Sequence, residues 1–115
     1  MALRLLAGLA AALVAGCSVP GPTVDDLPER VDFALHVRPI LSDRCFKCHG
    51  PDEAARRSEL RLDRHEAVLA GLRSGATAVV PGRQRSSELV RRILSDDHAV
   101  VMPTPESHLT LTDYE

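Results

Sequence analysis

Cys45-Phe46-Lys47-Cys48-His49 places two thiols and an imidazole within about one helical turn, and no other feature of the chain constrains its fold as tightly. On a helix, residues three and four apart share a face, so both sulfurs and the ring can address one flat group. C-x-x-C-H is the spacing of covalent c-type haem attachment, in which the cysteines become thioethers and the adjoining histidine reaches the iron. Three rival readings use the same residues. A structural zinc site needs four ligands, normally two pairs; there is no second cysteine pair, and His65, His98 and His108 lack paired spacing. A thioredoxin-like dithiol follows a strand, and none is expected before Cys45. A disulfide across two residues would be strained and would leave His49 without a task. Haem is the preferred reading, with a non-haem zinc or disulfide interaction module as the alternative of another class.

Composition makes a staple of this kind necessary. The chain has 115 residues, two Phe, one Tyr and no Trp. One domain is all that this length allows. Hydrophobic residues reach 44 %, but many of them fall in the first sixteen positions. A domain this small and this poor in large apolar side chains needs a metal, disulfide or cofactor to complete its core. A net charge of −2 with so few aromatics argues against a nucleic-acid partner.

Arg4 followed by the apolar run 5–15 fits an export signal, and the run is too short to span a membrane. Its end, Val14-Ala15-Gly16-Cys17, resembles the bacterial lipoprotein lipobox. That resemblance implies cleavage before Cys17, acylation of Cys17 and a firm anchor made of several acyl chains. An ordinary secretory signal is the alternative. Both place the protein outside the cytoplasm, in the cell envelope or periplasm, where c-type haem is attached.

The chain divides into a signal (1–16), a Pro-, Gly- and acid-rich tether (17–30) and a folded domain (31–115). Asp32 is expected to cap a turn carrying Phe33, His36 and Val37, and Pro39 to sit at a kink or in the first turn of a second helical piece that runs to Phe46. Residues 60–62 read as a short extended stretch and 64–70 as a short helix ended by Gly71 and Gly75. Ser86 or Ser87 should cap a helix to about Ser95 with Leu89, Val90, Ile93 and Leu94 in one apolar stripe. Thr112 and Glu115 match a capping box, at a point where a helix should begin.

Haem iron takes a sixth ligand, or an open position in a sensor or catalyst. Met102 is the candidate, the one methionine after the initiator, in an apolar loop far enough from His49 to reach the other haem face. The simpler reading is a methionine that fills core space. His98 and His108 compete but look solvated, and His36 and His65 look like helix-face residues. Thioether ligation would raise the reduction potential relative to a second histidine. Leu60, Leu62, Val79, Val80, Leu89, Val90, Ile93, Leu94, Val100 and Val101 are candidates for the apolar wall. Nine arginines lie between Arg56 and Arg92. Arg83 and Arg85 are named from them as partners for propionates or an acidic protein, against the simpler reading of a solvated face.

With these residues in hand, the chain from about Val31 resembles the planctomycete-type cytochrome c domain. The stretches that carry the resemblance are 31–51, 60–63, 80–82, 87–94, Met102-Pro103 and Leu111-Thr112. The resemblance implies a small all-α, class I-like fold with one haem c attached at Cys45 and Cys48 and ligated by His49 and Met102. It also implies that the domain can sit near the start of larger exported proteins. The sequence departs from the pattern at Gln84, at Thr104 and in lacking the last helix with its Trp. That last departure leads to the expectation of a truncated domain, with Phe33, Val37, Ile40 and Leu41 left wet and haem held poorly. The reading is therefore an exported, lipid-anchored, monohaem electron carrier serving unknown redox proteins, with no catalysis required. A haem-based ligand-binding or sensory module is the alternative.

Overall fold

The computed structural model describes Gly16 and residues 18–115. The expected signal, Gly16 apart, and the acylation candidate Cys17 lie outside the described residues. Four short helices organise the domain: α1 (Arg38–Arg44), α2 (Phe46–His49), α3 (His65–Leu69) and α4 (Glu88–Ile93). A π-helical turn, Phe33–Val37, leads into α1. Single 3-10 turns occur at Val24–Asp26, Gln84–Ser86 and Pro105–Ser107. Among the described residues there is no strand, only one antiparallel bridge between Gly71 and Thr77. The domain is small and mostly helical, as expected.

Asp32 starts the first helical segment. Its carboxylate accepts from the Leu35 N–H at 2.9 Å, while its own N–H donates to His36 Nδ1 at 2.8 Å. His36 thus has a local capping task, beyond the helix-face role expected for it. Pro39 has no N–H and cannot continue an i→i−4 ladder. The wider π turn is spent immediately before it, Arg38 N–H bonding the Phe33 carbonyl. Helix α1 then runs without interruption to Cys45, whose N–H bonds the Leu41 carbonyl at 2.9 Å.

Helix α2 is a single turn and would fray alone. The chain beyond it supplies its missing partners. Arg57 N–H donates to the Cys48 carbonyl at 3.0 Å and Leu62 N–H to the His49 carbonyl at 2.8 Å. This return requires a sharp exit at Gly50, which is buried. A Cβ there would collide with the backbone oxygen of Phe46. Gly50→Ala is therefore expected to cost about 1–3 kcal/mol. A thermal melt of the holoprotein should record a fall of roughly 5–20 °C, and an unchanged melt would mean that the α2 exit can open without penalty.

Residues 60–62 form no strand; they pass directly into a turn at Leu62. Helix α3 is shorter than expected by one residue at each end, Arg64 and Ala70 being its caps. The next segment lies between α3 and α4. Val79 N–H bonds the Val68 carbonyl, and the Thr77 and Ala78 carbonyls take the N–H groups of Glu88 and Leu89 at 3.0 Å each. Those two donors would otherwise need a side-chain cap. Ser87 occupies the N-cap position, but its hydroxyl is free to turn inward, accepting from Val80 N–H at 2.9 Å and donating to the Arg83 carbonyl at 3.0 Å. Ser87 is 4 % exposed. The expected cap is right in position and different in bonding.

Only Leu62 and Ala78 are fully buried apolar residues among those described. Both line a cavity of about 620 Å³. Val37, Ile40 and Leu41 line it and are half-buried, whereas Phe33 is 59 % exposed. The α4 stripe divides as well. Leu89 and Ile93 face the cavity, whereas Val90 and Leu94 lie in a separate surface groove and Leu94 is 72 % exposed. A six-residue helix packed along one side cannot bury both pairs. The capping box at residues 112–115 forms: Thr112 N–H and hydroxyl donate to Glu115 Oε2 at 3.0 and 3.3 Å. Glu115 also pairs with Arg44 of α1 at 3.0 Å.

Candidate cofactor site

Cys45, Cys48, His49 and Met102 all line the cavity of about 620 Å³. The first three are placed by the junction of α1 and α2, where Cys45 is both C-cap of one helix and N-cap of the next. Both thiols are unpaired and half-buried. Burial, with Cys48 beside it, pushes the Cys45 thiol above its ordinary pKa, so it stands protonated at neutral pH. Burial also pushes His49 below the ordinary histidine range, with Leu60 backbone opposing this and the Arg92 charge adding to it. The ring is neutral at pH 7, the form in which histidine binds metal.

His49 Nδ1 is sealed from solvent and has no partner of good hydrogen-bond geometry. The Leu60 backbone lies close enough to influence the ring. Ligating histidines direct one ring N–H at a backbone carbonyl and leave the other nitrogen for the metal. Leu60 is held near by the Leu62 N–H bond to the His49 carbonyl. An orphaned, buried Nδ1 beside a backbone segment, with two free thiols and a thioether on the same apolar cavity, fits haem c.

Met102 reaches the cavity from the segment after α4. Its N–H donates to the Arg92 carbonyl at 3.2 Å, and Val100 and Val101 N–H groups both bond the Asp97 carbonyl, at 2.9 and 2.8 Å. Of the expected wall residues, Leu60, Leu62, Leu89 and Ile93 line the cavity; Val79, Val80, Val100 and Val101 do not. Leu72, Leu109 and Leu111 line it unexpectedly. Leu109 and Leu111 lie two residues apart, either side of Thr110, in a segment that is neither helix nor strand. His98 and His108 are exposed, as expected, and so is His65.

Arg83 and Arg85 stand away from the cavity. Arg83 caps the 3-10 turn before α4, and Arg85 borders the surface groove. The basic groups on the cavity wall are instead Arg44, Lys47, Arg57 and Arg92. Glu88, also on the wall, accepts from Arg91 Nε at 2.7 Å and from Arg92 Nε at 2.8 Å. Arg91 foremost, then Arg92, hold its carboxyl down to about 2. A depressed carboxylate pKa stabilises the fold above the ordinary value of 4.5, and that stability is lost as pH falls towards about 2. Arg91 is half-exposed, so solvent screening leaves only part of that stabilisation. Glu88→Gln should thus melt below wild type at about pH 6, and acid melts should show the gap closing between 4.5 and about 2. A gap that persists at the acid end would contradict the ion pairs.

Residues 45–106 match the family model described as Planctomycete cytochrome C. The match covers more than half of the chain, from the first cysteine of the motif to just beyond Met102. The class this defines is the cytochrome c domain, which at family level implies haem-based electron transfer. The chain belongs to the Planctomycete cytochrome C family, and its Cys45 and Cys48 agree with the covalent haem that membership suggests. No curated protein and no solved structure matches it significantly.

Proposed function

We propose that this chain is an exported, monohaem c-type cytochrome domain that carries single electrons. The observation that carries this reading is the convergence of Cys45, Cys48, His49 and Met102 on one apolar cavity, within a chain of the cytochrome family. When bound, haem c supplies a one-electron Fe(II)/Fe(III) couple. Cys45 and Cys48 would hold it as thioethers, and His49 and Met102 would be its axial ligands. Leu60, Leu62, Leu89 and Ile93 would exclude water, and His49 in its neutral state offers a ring nitrogen without first losing a proton.

Export and the lipid anchor at Cys17 are part of the same proposal. They rest on the sequence of residues 1–17 and on the site of c-type haem attachment. Redox partner proteins of unidentified kind, on the envelope side of the membrane, would donate and accept the electrons.

The ligand-binding alternative is tested with carbon monoxide. The reduced holoprotein, made in a host with cytochrome c maturation machinery, should show an unreactive six-coordinate spectrum at neutral pH. A carbon monoxide shift in wild-type protein would favour the sensory reading.

A further inference from the structure

Two arginines on the cavity wall are tied to carboxylates, Arg44 to Glu115 and Arg92 to Glu88. Arg92 alone of the two also grips the segment that bears Met102. Its Nη1 donates to the Val100 carbonyl at 3.4 Å, and its main-chain oxygen accepts from Met102 N–H at 3.2 Å. Its Nε is fixed by Glu88 Oε1 at 2.8 Å, one turn earlier on α4. Residues 97–101 are closed on themselves by the two bonds to the Asp97 carbonyl. A closed turn moves as a unit, so its attachment to α4 decides where Met102 sits. Both attachments belong to Arg92, on either side of Val101.

We propose that Arg92, braced by Glu88, is a positioning residue that sets how firmly Met102 is held at the sixth coordination position. This rests on the reading of Met102 as an axial ligand. The side-chain bond to Val100 is long and therefore modest, and the main-chain bond survives any substitution. Loss of the Arg92 side chain should loosen the methionine without releasing it.

The test is imidazole competition on the oxidised, full-length holoprotein, read optically at a temperature well below melting. Arg92→Gln should bind imidazole about tenfold more tightly than wild type, equivalent to about 1.4 kcal/mol of lost sulfur ligation. Glu88→Gln, which removes the brace, should move in the same direction by less. Arg91→Gln breaks the outer ion pair to Glu88 and touches no part of the Met102 segment, so its imidazole affinity should equal wild type. Met102→Ala separates the two readings. If it binds imidazole far more tightly than wild type while Arg92→Gln does not, or if Arg91→Gln matches Arg92→Gln, the positioning role is overturned and the ligand assignment stands. If Met102→Ala binds like wild type, the ligand assignment falls and the positioning role falls with it. Should Arg92→Gln not mature, Glu88→Gln carries the test, and an affinity equal to wild type overturns the proposal.

Discussion

Met102→Ala holoprotein is expected to keep its haem, lose the red sulfur-to-iron charge-transfer band, and bind carbon monoxide when reduced. Its reduction potential should fall by on the order of a tenth of a volt or more, within the ~0.8 V that axial ligands span. Thioether sulfur favours Fe(II), and a water or a second histidine in its place favours Fe(III). The rival histidines are not placed to substitute without rearrangement: His98 and His108 are exposed and do not line the cavity. Spectroelectrochemical titration of wild type and variant checks this. An unchanged potential and an unchanged low-spin spectrum would remove Met102 from the site.

The second large effect concerns folding. Cys45→Ala combined with Cys48→Ala should yield protein that carries no covalent haem and shows no cooperative thermal transition. Among the described residues only Leu62 and Ala78 are fully buried apolar ones, and both stand on the wall of a cavity of about 620 Å³ with Val37, Ile40, Leu41, Leu60, Leu89 and Ile93. Close packing is the source of core stability, and a wall that closes on nothing forfeits those contacts. Helices of four to seven residues cannot compensate, because isolated helices below about 12–15 residues are marginal in water. Circular dichroism melts of wild type and of the double variant decide the matter. A sharp transition in the variant would show that the described fold stands without the cofactor.

How much of this was legible in the sequence differs from one part to the next. C-x-x-C-H is a local signal, since its three reactive groups fall within one turn, and the family match starts at its first cysteine. Asp32 as a cap and Pro39 near a helix start were equally local. The wall was only partly readable. Val37, Ile40 and Leu41 follow an i, i+3, i+4 spacing that leads on to Arg44 and Cys48, a stripe that points at whatever the cysteines hold. The sequence points them equally well at another helix, because periodicity identifies a buried face and not what buries it. Ser86 and Ser87 both offer a cap in the sequence; Ser87 takes the position with other bonds, because the Thr77 and Ala78 carbonyls that relieve it arrive from outside its helix. Arg83 and Arg85 stand in a run of arginines that has no local mark to separate wall from surface. Arg92 differs from them only through Glu88 and the Met102 segment, contacts that exist once α4 is folded against its neighbours.

The central claim is covalent haem at Cys45 and Cys48. It is tested most directly by a pyridine haemochrome spectrum of the full chain, matured in a competent host, denatured and extracted with acidified acetone. Haem that remains with the polypeptide, showing the α-band of two saturated thioethers, is the result expected here. Haem that passes entirely into the acetone, from protein that had bound it, would contradict the account and return the two cysteines to a metal or disulfide role.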